Sequence, residues 1–191
     1  MSVEVRNDHP TQRVGVRRMA QHLRGALRTL GRGRAHVDVR LVTDQAIRPL
    51  NRHWRGVDRA TDVLSFALQE AGAPDLGPLG PEDLLGPVKL PGPMDLLGEI
   101  VISLDAARRQ ARQVRAMARR DGALSGEVRR YSVTVEAMFL ATHGLLHLLG
   151  HDHQEAAEAD AMEALERRLF AGVTALDVHA SDRTDHGLPA R

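Results

Sequence analysis

The 191-residue sequence contains no cysteine. That absence excludes disulfides, thiolate metal ligands and cysteine nucleophiles together, and leaves histidine and the carboxylates as the strong metal ligands available. Charge of one sign is not in excess either. With 26 Lys+Arg against 25 Asp+Glu and a formal net charge of +1, the chain as a whole does not single out nucleic acid or an anionic membrane. Any basic surface must be local. No stretch approaches the roughly 18 consecutive apolar residues of a membrane helix, and the opening MSVEVRNDHP lacks the apolar core of a signal peptide. The last two absences, of a membrane helix and of a signal peptide, point to a soluble, cytoplasmic protein with no membrane partner.

What is present is an interleaving of short strands and helices. Val3 and Val5 alternate with polar residues as in a strand; Val16, Met19, Ala20, Leu23, Leu27 and Leu30 then recur at helical spacing, closed by Gly31 and Gly33. Residues 36–42 alternate as a second strand, and Thr43 and Asp44 are N-cap candidates for a short helix toward Asn51. The segment 55–68 passes from a loop into a third strand beginning near Asp62. Residues 71–95, rich in Gly and Pro, read as a long excursion, which inside a compact domain is expected to be functional or disordered. LGEIVIS (97–103) is the fourth strand, and Ser103 caps a helix whose exposed face carries Arg108, Arg112, Arg115 and Arg119. Residues 127–149 are expected to be the longest helical stretch, followed by a helix with Met162, Leu165 and Leu169 that runs to about Phe170. The fold class is therefore α/β (α+β): a single small mixed sheet of about four strands surrounded by helices. One domain is expected over 1–176, with a flexible tail over 177–191.

The run THGLLHLLGHDH, residues 142–153, concentrates the chemistry. His143 and His147 are four apart, so on a helix both project from one face, one turn apart, and two imidazole nitrogens can bind one metal ion. Gly150 falls where a helix C-terminus needs a left-handed residue, and a reversal there swings His153 back toward the pair. Three imidazoles then hold one face of a tetrahedral ion, zinc being preferred, with the fourth position open. His151 competes with His153 for the third place. The spacing is that of metzincin zinc proteases, but their general-base glutamate is replaced here by Gly144, which disfavours the usual peptide hydrolysis.

THGLLHLLGHDH closely resembles the signature of the YbeY family of endoribonucleases, the rRNA maturation factors. LNRHWRGVDRATDVLSF (50–66) is similar to that family's loop-to-strand segment, LGEIVIS to its strand preceding a helix, and Met162-Glu163-Ala164-Leu165 to its final helix. The likeness spans roughly residues 35 to 170. It implies one zinc ion per chain on His143, His147 and His153, and a functional arginine at Arg55, with Arg55 and His143 in the catalytic set. It also implies a role in maturing ribosomal RNA termini, the 16S rRNA 3′ end among them, and in ribosome quality control. The partners implied are ribosomal RNA, pre-ribosomal particles and ribosomal or assembly proteins. His151 stands where the family often has tyrosine, and the 71–95 excursion looks longer than usual.

RNA cleavage needs an activated nucleophile, stabilised phosphoryl charge and a protonated leaving oxygen. Zinc serves the first or second task, and a bidentate guanidinium at Arg55 the second. Asp152 is a candidate outer partner of a metal histidine or a base, with turn capping as its plain alternative, and His151 shares the outer-partner role. Glu99 and Asp62, at the starts of strands, either reach the same cleft or are surface charges, the commoner case, and are assigned no part. The stripe Arg108, Arg112, Arg115 and Arg119 either engages RNA phosphates or is a solubilising helix face. Trp54 either stacks on a base or packs its loop onto the core. Two other functions compete with the nuclease: a zinc hydrolase of peptides or small esters, and a non-catalytic, zinc-braced ribosome-assembly factor with a closed metal shell.

Overall fold

The computed structural model describes residues 2–68, 95–120, 131–151 and 156–170. The excursion at 71–95, apart from its last residue, lies outside the described residues, as do Asp152, His153 and the tail 177–191. In chain order the elements are β1 Ser2–Asn7, α1 Val16–Thr29, β2 Ala35–Val42, α2 Asp44–Arg55, β3 Val63–Ala67 and β4 Asp95–Ser103. Three helices follow: α3 Leu104–Arg120, α4 Val133–Leu148 and α5 Ala156–Phe170. The four strands form one sheet in the order β1-β2-β4-β3, with β1, β2 and β4 parallel and β3 antiparallel on the edge beside β4. The mixed α/β class read from the sequence is the class observed.

Alternation along the strands sorts the two faces. Val37, Val39, Leu41, Ile100 and Ile102 point to one side and are buried with Met19, Leu23 and Leu27 of α1, Ala107 and Ala111 of α3, and Phe139 and Leu140 of α4. Val42, Leu64 and Val101 point to the other, where Ile47 and Leu50 of α2 cover them. Helices therefore lie on both faces, and β3 is touched on one side by α4 and on the other by α2.

Local signals explain the boundaries. Thr43 caps α2 by accepting the Ala46 amide at 3.2 Å, and α2 runs on past Asn51 to Arg55, where Gly56 closes it with φ +69°. Pro49 does not stop this helix, because the bond its missing N–H gives up lies on the solvent side. Ser103 caps α3 as expected, its hydroxyl accepting from the Ala106 amide at 3.2 Å. The final long stretch differs from expectation. Residues 127–130 lie outside the described part, and α4 starts at Val133, with the Ser132 hydroxyl accepting from the Val135 amide at 3.4 Å. Among the described residues the longest helix is α3, at 17 residues, against 16 for α4. Helix α4 is apolar almost all round because it is buried almost all round, from Val135 to Leu148.

Candidate metal centre

Helix α4 brings His143 and His147 together at its C-terminal end. Their Nε2 atoms lie 3.1 Å apart, with ring centroids 4.7 Å apart and planes at 81°. Two imidazoles on a tetrahedral zinc, with Zn–N of about 2.0–2.1 Å, hold their nitrogens roughly 3.3–3.4 Å apart, so the spacing and donor type fit such an ion. The Nδ1 side of His143 faces Glu166 of α5, whose Oε1 is at 2.7 Å. At that distance the carboxylate can accept a proton from Nδ1, the direction being set by the tautomer of His143.

Just beyond the pair the helix ends in a reversal. The Gly150 amide donates to the His147 carbonyl at 3.0 Å and the His151 amide to the Leu146 carbonyl at 3.0 Å, with Gly150 at φ +85°. This is the doubly bonded C-terminal turn that glycine permits, since L side chains avoid that φ. His151 is half-buried at the exit of the turn. His153 and Asp152 follow outside the described residues, and among those described no group of three or more metal-binding side chains assembles.

Gly144 has a packing reason. A Cβ built there stands 2.8 Å from the Ser65 Oγ and 2.9 Å from the Ile100 Cγ2. The position faces the sheet, where α4 comes close to β3 and β4, so a glutamate is excluded by space, not merely replaced. Thr142, on the other side of His143, donates its hydroxyl to the Met138 carbonyl at 2.9 Å and accepts from His22 Nε2 at 2.8 Å. That tie holds α1 to the histidine helix.

Arg55 ends α2 and is half-buried. Burial lowers its pKa from the usual guanidinium value, an effect opposed by the nearby Asp62 charge. Asp62 itself is buried, accepting from Gln110 Nε2 at 2.8 Å and from the Val63 amide at 2.9 Å. Trp54 packs on Phe66 with centroids 5.4 Å apart, on the face opposite α4.

The arginine stripe lies on α3, with Arg108, Arg112 and Arg119 exposed and Arg115 half-buried, its Nε donating to the Ala111 carbonyl at 3.3 Å. Glu99 is not at the histidine pair. It shares the α2 side of the sheet with Val101, and burial pushes its carboxyl up to about 7 against the pull of Arg40 at 3.9 Å. Glu166 and His22 carry no motif signal; a glutamate on an amphipathic helix and a histidine at a helical position both look ordinary in sequence.

The fold and this site define a small α/β protein that presents an imidazole pair at the end of a buried helix, braced by a carboxylate from the next helix. The sequence profile described as Endoribonuclease YbeY matches residues 4–174. Endoribonuclease YbeY of Anaeromyxobacter sp. (strain Fw109-5) is 40% identical over 169 residues, covering 88% of this chain and 70% of that protein. The protein of the same name from Moorella thermoacetica is 45% identical over 141 residues, covering 74% of each chain. The one from Thermus thermophilus is 37% identical over 167 residues, covering 87% of this chain and 96% of its own. In fold, the solution structure of TM1509 from Thermotoga maritima matches 96% of this chain and 99% of its own, with TM-score 0.50 and 21% identity. The chain belongs to the Endoribonuclease YbeY family.

Proposed function

We propose that the protein is a zinc-dependent endoribonuclease that favours single-stranded RNA and acts in the cytoplasm, as one domain over 1–176, in the maturation of ribosomal RNA, including the 16S rRNA 3′ end, and in ribosome quality control. Its partners on this reading are pre-ribosomal particles with their ribosomal or assembly proteins. The observation that carries the proposal is the His143–His147 Nε2 pair at 3.1 Å, followed at once by a chain reversal, in a member of a family named for RNA cleavage.

His143, His147 and His153 would hold the metal, with His151 and Asp152 as outer partners. A bound zinc supplies Lewis acidity, bringing the pKa of a water toward neutrality or drawing charge from a phosphoryl oxygen. The remaining work falls to the chain. Arg55 binds the phosphate whose charge grows in the transition state, and its partial burial strengthens that contact relative to an exposed arginine. The exposed arginines of α3 hold the RNA backbone without reading sequence. Peptide hydrolysis is disfavoured because the residue after His143 faces Ser65 and Ile100 and has no room for a proton acceptor.

The test uses the untagged full-length chain, its zinc content measured by mass spectrometry, with single-stranded and duplex RNA as substrates. We expect about one zinc per chain, retained in His151→Ala and lost in His153→Ala, and cleavage of the single strand. Arg55→Ala should lower kcat by about 10²–10³-fold, the scale of one lost transition-state contact. A wild type full of zinc that neither binds nor cleaves RNA refutes the nuclease. Loss of zinc from both histidine variants indicates a closed shell and a non-catalytic assembly factor.

A further inference from the structure

Glu166 lies 23 positions beyond His143, on a different helix, yet its Oε1 is 2.7 Å from His143 Nδ1 and both side chains are only 12% exposed. From this geometry we infer that Glu166 is a positioning residue of the metal centre: it fixes the tautomer and ring orientation of His143, so that the Nε2 lone pair is already aimed at the metal position beside His147. The inference rests on the metal reading above.

Three observations carry it. First, the two nitrogens of an imidazole lie on opposite sides of the ring, and the carboxylate occupies one side while His147 Nε2, at 3.1 Å, occupies the other. Glu166 therefore stands away from the metal position, where it neither ligates the ion nor reaches a reacting water. Second, a neutral imidazole has one proton to place. Held at Nδ1 by a carboxylate acceptor in a poorly solvated spot, that proton stays off Nε2, which must be bare to bind a metal. Third, α5 has apolar contacts of its own that dock it. Met162 and Phe170 are buried, and Phe170 packs edge-on against Phe139 and His22, with centroids 5.6 and 5.0 Å apart. A salt bridge kept only to hold α5 in place would be redundant with that apolar contact.

The experiment compares wild type, Glu166→Ala, Glu166→Gln and, as a control on the same helix, Glu163→Ala, whose carboxylate pairs with Arg167 at 2.6 Å on the exposed face. Zinc affinity is measured by competition with a chromophoric chelator, and the tautomer of His143 is read in metal-free protein from its ring 15N chemical shifts. We expect Glu166→Ala to bind zinc about 10–100-fold more weakly, the usual cost of removing a carboxylate behind a metal histidine. Glu166→Gln, which keeps an acceptor oxygen, should recover part of that loss, and Glu163→Ala should match wild type. Metal-free wild type should show His143 protonated at Nδ1. Glu166→Ala binding zinc as tightly as wild type, or His143 protonated at Nε2 in the metal-free wild type, overturns the inference. Should Glu166→Ala fail to fold, the glutamine variant and the wild-type spectrum decide. Should wild type itself lack zinc affinity, the metal reading falls, and the metal-free spectrum still judges the hold of Glu166 on His143 by itself.

Discussion

At the scale of single residues, Gly144 shows how one position answers to packing and to chemistry together. Alanine in place of glycine gains about 1 kcal/mol of helix propensity, but overpacking a tight contact costs about 1–3 kcal/mol. The Ser65 hydroxyl can rotate aside; the branched Cγ2 of Ile100, 2.9 Å from the added carbon and fixed in the sheet, cannot. Gly144→Ala should therefore lower the unfolding free energy in urea, by up to about 2 kcal/mol, and Gly144→Glu should fail to produce a peptidase. A more stable Gly144→Ala would mean that α4 and the sheet can separate at little cost. Legibility differed by residue for physical reasons. His143 and His147 are four apart on one helix, so local spacing alone places them together, and Gly150 follows from the need for a left-handed turn. Glu166 reaches His143 only through the packing of α5 on α4, and no local pattern encodes that meeting.

At the scale of elements, the tie between α1 and α4 has a pH signature. His22 is partly buried, and its desolvation, aided by the charge of Arg18, lowers its pKa from 6.5 to about 4. The folded protein therefore holds it neutral, donating from Nε2 to the Thr142 hydroxyl, while the unfolded chain takes up a proton below about pH 6.5. Since the unfolded state binds more protons between pH 4 and 6.5, stability falls as the pH drops through that window. Acidifying from pH 7 to 5 should cost about 1–2 kcal/mol through this group, its partial exposure screening some of the effect. His22→Gln, still able to donate to Thr142, should lose that part of the pH dependence, measured as the difference in unfolding free energy at the two pH values with chelator present. Identical pH dependence in the two proteins would rule the account out. Elements marked by caps were legible: α2 has Thr43 and α3 has Ser103. The end of α2 fell past the expected Asn51, at Arg55, and the start of α4 was hidden by an apolar pattern that carries little periodicity in a helix buried almost all round.

At the scale of the whole molecule, opposed effects hide one another, and sums mislead where local terms are large. Glu99, pushed up to about 7 by burial, with Arg40 and Arg6 pulling down and Asp38 and Asp8 pushing up, acts in the opposite sense to His22. Here the folded state holds the extra proton between pH 4.5 and 7, so its contribution to stability grows as the pH falls. The wild-type profile between pH 5 and 7 should be flatter than that of Glu99→Gln, which leaves His22 unopposed; an unchanged slope would place the Glu99 proton elsewhere. Net charge misleads in the same way. A total of +1 predicts weak non-specific attraction to RNA, yet Arg112 and Arg119 stand exposed two turns apart on α3. If they touch the backbone, each contact releases counterions, and for single strands the logarithm of affinity falls with the logarithm of salt by about 0.7 per phosphate neutralised. Arg112→Ala with Arg119→Ala should thus reduce the salt slope of RNA binding by about 1.4, measured on metal-free protein so that nothing is cleaved. Arg48→Ala is the control, because Arg48 already pairs with Asp58 at 2.8 and 3.0 Å. An unchanged slope in the double variant would make the stripe a solubilising face and leave Arg55 to meet the phosphate without it.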